Sequence, residues 1–162
     1  DVARFFFLMH SLNSHMDFDL ALAKERSQKN PVYYAQYAYV RCGSILRKSK
    51  VSARGGSAFG GKSYKVKVGL DLLNTKEDIN LIRHLAQLPE ALEETAKDYQ
   101  VHRLTRYALD LARAFHNFYE KERIIGEKNT DLALARLALV AATKITFENL
   151  FDILGVSKPK RM

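Results

Sequence analysis

The side chains best placed to do chemistry lie between positions 34 and 48. At about 100° per residue, a helix over 31–48 carries Tyr34, Tyr37, Arg41 and Lys48 on one arc, with Ala38 and Ile45 at its edge. Val32, Ala35, Tyr39, Cys42 and Leu46 fall on a second arc about 120° away, the kind of stripe a core takes. Phenol rings on the non-core side stack on unpaired bases at about 1–3 kcal/mol each. A guanidinium beside them pairs a phosphate bidentately. The same rings could instead pack on a neighbouring helix with their hydroxyls wet. Spacing alone leaves both readings open.

The surroundings of that arc are basic. The 162 residues hold 26 Lys+Arg against 18 Asp+Glu, a formal charge of +8. No acidic residue occurs between Glu25 and Asp71, an interval that holds Arg26, Lys29, Arg41, Arg47, Lys48, Lys50, Arg54, Lys62, Lys65 and Lys67. Clustered cations give a directional field that attracts a polyanion, which evenly mixed charge would not. Surface lysines more often mean only a solvated face, but a run without one compensating carboxylate points to nucleic acid. The interval is not a strong basic amphipathic helix throughout, and no apolar run nears the roughly 20 residues of a membrane span, so no membrane partner is expected.

Catalytic groups are not expected. Gly56-Ser57-Ala58-Phe59-Gly60-Gly61-Lys62-Ser63 has the spacing of a G-x-x-x-x-G-K-[ST] phosphate loop, but the pattern around it does not predict the strand-to-helix turn that such a loop requires, and no G-x-G-x-x-G occurs. His10, His15, His84, His102 and His116 stand at wide spacings without a helical i,i+4 pair, so no metal site is expected. The single cysteine, Cys42, excludes a disulfide scaffold and falls on the core stripe, where a thiol is normally inert. The acid pairs Asp17/Asp19 and Glu93/Glu94 are ordinary surface carboxylates. At 47% hydrophobic and 27% charged, the composition is that of an ordinary globular domain.

The elements that must position these groups are mostly helices. Residues 2–12 predict a short buried helix, and Met16, Phe18 and Leu20 alternate with Asp17 and Asp19 in a brief strand-like pattern. Asn30-Pro31 starts the next helix, with Asn30 as N-cap, and it runs to about Lys48. Ser49 to Lys65, with Gly55-Gly56 and Gly60-Gly61, predicts a mobile Gly/Lys-rich loop. Thr75 with Asp78 caps a helix whose stripe is Leu81, Ile82, Leu85 and Leu88; Pro89 opens another past Leu92 and Ala96. A long helix from Val101 to about Ile125 repeats Leu104, Ala108, Leu111, Ala112, Phe115, Phe118 and Tyr119, and Gly126 stops it. Asn129 or Thr130 starts the last, with Leu134, Leu137, Ala141, Ile145 and Leu150, ending at Gly155. Short turns between such segments predict an all-α, antiparallel helix bundle.

Several runs resemble the C-terminal region of bacterial-type arginyl-tRNA synthetases. They are Asp1-Val2-Ala3-Arg4-Phe5-Phe6-Phe7-Leu8-Met9, Met16-Asp17-Phe18-Asp19-Leu20-Ala21, and Asn30-Pro31-Val32-Tyr33-Tyr34-Ala35-Gln36-Tyr37-Ala38-Tyr39-Val40-Arg41. Two more are Tyr107 to Tyr119 and the ending Gly155-Val156-Ser157-Lys158-Pro159-Lys160-Arg161-Met162. The likeness spans nearly the whole chain; residues 49–65 depart most. It implies that 30–162 form the anticodon-binding bundle of the type shared by several class I synthetases. Residues 1–29 would be a remnant of the stem-contact region, with a short helix and a strand-like piece. The full-length enzyme would be a monomeric, cytoplasmic arginine–tRNA ligase using ATP and Mg²⁺, in which arginine activation needs bound tRNA. Its two catalytic signatures are not in this sequence, which has no initiator Met and looks like a piece of something longer. Alone it would be inactive, hold no cofactor, and bind the anticodon arm of arginine tRNA.

Carried over position by position, the resemblance implies RNA contacts from Tyr34, Tyr37, Arg41 and Arg47 on the first bundle helix. It adds Phe115 and Tyr119 from the long helix, and Met162 at the chain end. Lys48 joins from the wheel, which places Arg47 off the same face. Two alternatives remain: a basic bundle that binds an acidic protein or RNA without preference, and an anticodon reader for another amino acid.

Overall fold

The computed structural model describes residues 1–11, 14–49 and 69–162. In chain order they form α1 (Val2–Leu8), α2 (Leu20–Lys24), α3 (Pro31–Lys48), α4 (Lys76–Ala86), α5 (Leu88–Asp98), α6 (His102–Lys121) and α7 (Thr130–Leu154). A 3-10 turn, Leu70–Leu72, precedes α4. No strand occurs among the described residues. The expected loop begins at Ser49, which ends α3; residues 50–65 of it lie outside the described residues.

Local chemistry starts and stops the helices. The Asn30 side-chain oxygen accepts from the amides of Val32 at 3.1 Å and Tyr33 at 3.4 Å. Its amide nitrogen donates to the carbonyls of Ala23 and Glu25, so one buried residue caps α3 and ties down the end of α2. Thr75 and Asp78 bond reciprocally across the first turn of α4, and Asn129 caps α7. Gly155 closes α7 at φ +63°, the left-handed conformation that costs a residue with a Cβ about 1–2 kcal/mol.

Paired contacts fix the directions of the helices. Tyr39 bonds Glu148 while Gly43 lies beside Lys144, so α3 and α7 run antiparallel. Tyr107 reaches the His84 carbonyl and Lys121 reaches Glu77, so α4 and α6 do too. From α3 to α6 the contacts advance together, Tyr34 to His116 and then Arg41 to Tyr119, so these two run in the same sense. Between them Phe5, Val32, Ala35, Cys42, Leu81, Leu111, Phe115, Phe118, Phe147, Leu150 and Phe151 fill one core.

Five expectations need correction. Met16 to Leu20 make no strand: Asp19 caps α2 by accepting from the amides of Ala21 and Leu22, and a lone alternating stretch has no ladder partner. α1 is not buried throughout, since Phe7 is exposed while Phe5 and Phe6 are core. The core face of α3 takes in Ala38 and Ile45, because α3 is covered from both sides, by α6 and by α7. α6 ends at Lys121, short of Gly126, and on α7 Ile145 faces out.

The early end of α6 has a cause. Arg136 of α7 is buried, and it holds the chain that follows α6 through Glu122 and, at 2.9 Å, the Arg123 carbonyl. Its Nε lies 3.5 Å from the fully buried Asp78 at the start of α4, and Glu127 lies 3.8 Å from Nη1. One guanidinium thus joins α4, the α6–α7 turn and α7.

Candidate nucleic-acid interface

Six half-buried side chains meet along the α3–α6 seam: Tyr33, Tyr34, Tyr37 and Arg41 from α3, and His116 and Tyr119 from α6. Arg41 and Tyr37 are helical neighbours at i,i+4, and the Arg41 Nη1 donates to the Tyr37 hydroxyl at 2.9 Å. The guanidinium carbon of Arg41 stands 4.4 Å from the centre of the Tyr119 ring and 5.8 Å from that of Tyr37. The cation is therefore held between two rings, and no carboxylate pairs with it among the described residues.

His116 fills the space behind the tyrosines. Its ring centre is 5.0 Å from that of Tyr34 and 5.7 Å from that of Tyr37, the latter pair stacked at 28°. Tyr33 extends the surface, its ring within 8° of parallel to Tyr37 and 6.5 Å away. Burial lowers the His116 pKa, with Glu120 favouring the charged form and Arg41 opposing it, so the imidazole is neutral at neutral pH. Burial raises the Tyr34 pKa, Arg113 pulling it back and Glu120 adding to it, so the phenol keeps its proton. Flat neutral rings with one fixed, unpaired cation suit a stacked base and its phosphate.

The expected site residues divide accordingly. Tyr34, Tyr37, Arg41 and Tyr119 come together in the seam. Lys48 is exposed in the last turn of α3, on the Tyr37 side by helical phase but two turns beyond Arg41. Arg47 turns the other way. Its guanidinium donates to Ser44 at 3.0 Å and lies beside Gly43, on the flank facing Lys144 of α7. Phe115 is a correction: it is 0% exposed, core beneath Tyr119 and His116, and offers no surface to a ligand. Met162 is exposed at the chain end, and no described contact joins it to the seam.

The chain matches the DALR anticodon binding domain family over residues 35–162. It belongs to that family. Tyr37, Arg41, His116 and Tyr119 fall inside the matched span, and Tyr33 and Tyr34 immediately precede it. Among similar proteins, the arginine–tRNA ligase of Citrifermentans bemidjiense is 44% identical over 165 residues, covering 100% of this chain. That of Bacillus subtilis is 40% identical over 166 residues. The chain spans 28% of the length of each, so both relatives have a large part to which nothing here corresponds. Among solved structures, the arginyl-tRNA synthetase of Thermus thermophilus superposes with a TM-score of 0.74 at 27% identity, over 99% of this chain and 26% of that one. The Plasmodium falciparum enzyme gives 0.76 at 25% identity, over 99% and 26%. The expected all-helical architecture is the family's fold.

Two seam residues escaped sequence reasoning. Tyr33 sits i,i+4 from Tyr37, the spacing at which helical rings meet, and that signal was available. For His116 the sequence offers only the spacing of histidines, which speaks to metal binding, whereas its neighbours are rings from another helix.

Proposed function

We propose that this chain is the anticodon-binding domain of an arginine–tRNA ligase, and that the α3–α6 seam receives the anticodon loop of arginine tRNA. The observation that carries this reading is the Arg41 guanidinium, held between Tyr37 and Tyr119 without a carboxylate partner, in a domain of an anticodon-binding family. Loop bases splay onto Tyr34, Tyr37 and Tyr119, and Arg41 takes a phosphate between them, with Lys48 adding charge along the same side. Met162 reaches the seam only as the RNA docks. Residues 30–162 form the RNA-binding unit and 1–29 the link to the stem-contact region, although α1 shares the bundle core. ATP and Mg²⁺ belong to the catalytic part of the longer protein, which is monomeric and cytoplasmic. Nothing in this chain is assigned to either cofactor.

The test is fluorescence titration of labelled anticodon stem-loops at several salt concentrations. Arginine-tRNA loops should bind more tightly than loops of other tRNAs, and affinity should fall with salt as phosphate contacts release counterions. Equal affinity for unrelated RNA, or for an acidic peptide, refutes the assignment.

A further inference from the structure

Among the described residues, four buried side-chain polar atoms lack a hydrogen-bond partner: Asp78 Oδ1, His102 Nδ1, His116 Nε2 and Arg136 Nε. Asp78 and Arg136 face each other at 3.5 Å, and their electrostatic attraction accounts for both. His102 borders a cavity of about 330 Å³ with Met9, Thr105, Arg106 and Leu109, away from any aromatic cluster. His116 Nε2 is different. Its ring packs against those of Tyr34 and Tyr37, and no protein group answers Nε2, in the surface already read as an RNA site. Leaving such an atom buried and unpaired opposes folding, and an uncompensated group of this kind calls for a reason.

We propose that His116 is a specificity-determining residue of the seam, whose Nε2 hydrogen-bonds the edge of a nucleobase once a tyrosine ring swings aside to stack on that base. This rests on the RNA-binding reading of the seam. The choice of a base edge over a phosphate follows from the surroundings. A phosphate is drawn to the Arg41 guanidinium, whereas a neutral imidazole behind two rings meets whatever lies flat against those rings. In its neutral form the ring has one donor and one acceptor nitrogen, which matches the Watson–Crick edge of an unpaired base. The groups that face His116 are Tyr34, Tyr37 and Arg41 from α3, with Glu120 on its own helix. Phe115 is core beneath it.

Substituting His116 separates this role from simple packing, because the two predict opposite combinations. His116→Phe keeps a flat ring in the gap and removes the orphaned nitrogen. In the full-length protein it should raise the unfolding temperature, yet weaken arginine-tRNA anticodon stem-loop binding about three- to tenfold, the worth of one hydrogen bond. His116→Gln, whose amide reaches the position of Nε2, should recover part of that affinity. Wild-type affinity in the Phe variant, or a Gln variant no better than Phe, overturns the proposal. Tyr37→Ala, run alongside, tells which idea has failed. If Tyr37→Ala weakens binding and His116→Phe does not, only the role of His116 falls. If neither changes binding, the seam itself is not the RNA site.

Discussion

Replacing Arg136 by Ala should destabilise the fold more than any exposed charge change in this chain, and the cluster around it sets the size. Arg136 is 4% exposed, and its guanidinium faces Glu122, Glu127, the Arg123 carbonyl and the fully buried Asp78. The attraction between buried charges roughly offsets their desolvation while the cluster is whole, so its net worth is small. Removing one partner is another matter, because Asp78 and Glu122 then remain desolvated without their cation, and such a break costs about 3–5 kcal/mol. For a chain of this size each kcal/mol moves the melting temperature by about 2–4 °C, so a fall of about 6–20 °C is expected. Arg136→Lys keeps the charge but cannot reach three groups with one planar fork, and should fall in between. Urea unfolding followed by circular dichroism measures both. A loss below about 1 kcal/mol for Arg136→Ala would mean that water or a rearranged side chain takes over the carboxylates, and the argument from burial would be wrong.

Three further outcomes follow from the same geometry. Tyr37→Ala should weaken stem-loop binding by about 1–3 kcal/mol through lost stacking, whereas Tyr37→Phe loses only the hydroxyl that accepts from Arg41 and should cost about 0.5–1.5 kcal/mol; titration at fixed salt compares them. Phe115→Ala should cost about 3–5 kcal/mol of stability as a core truncation, while the milder Phe115→Leu should leave RNA affinity near wild type; a selective loss of RNA binding in the Leu variant would restore Phe115 to the contact surface. The His116 pKa is depressed in the folded state by burial, so below its ordinary value of about 6.5 the unfolded chain takes up more protons than the folded one. Its contribution to stability is thus whole above that pH and is lost as pH falls towards the folded pKa, and the pH dependence of urea midpoints should be shallower in His116→Phe.

Where the sequence was legible, a single helix decided the matter. Asn30-Pro31 marked the start of α3, Thr75 with Asp78 that of α4, and Gly155 the end of α7, because caps are local chemistry. Tyr34, Tyr37 and Arg41 share a face by arithmetic on one helix, and the structure places them together. What involved two elements was not legible. Phe115 and Tyr119 stand four apart on α6, but only the position of α3 decides that one is core and the other surface. The end of α6 at Lys121 depends on Arg136, fifteen residues later, pulling Glu122 inward. Arg136 draws no reading from the sequence, because the carboxylates of Asp78, Glu122 and Glu127 reach it from outside its own helix. Likewise a wheel drawn for α3 alone puts Ala38 and Ile45 at an edge, because it does not show that α6 and α7 cover the helix from two sides.

The brace on Arg41 bears on how quickly an incoming strand is captured. A free arginine side chain samples many rotamers, and immobilising one on association costs about 0.5–1.5 kcal/mol. Here the Tyr37 hydroxyl and the Tyr119 face narrow that search beforehand, so folding has already supplied the ordering. If the seam is the RNA site proposed above, an arriving loop meets a cation whose direction is set, and the slower adjustments fall to the nucleic acid, whose bases must leave their own stack before they lie down on the protein.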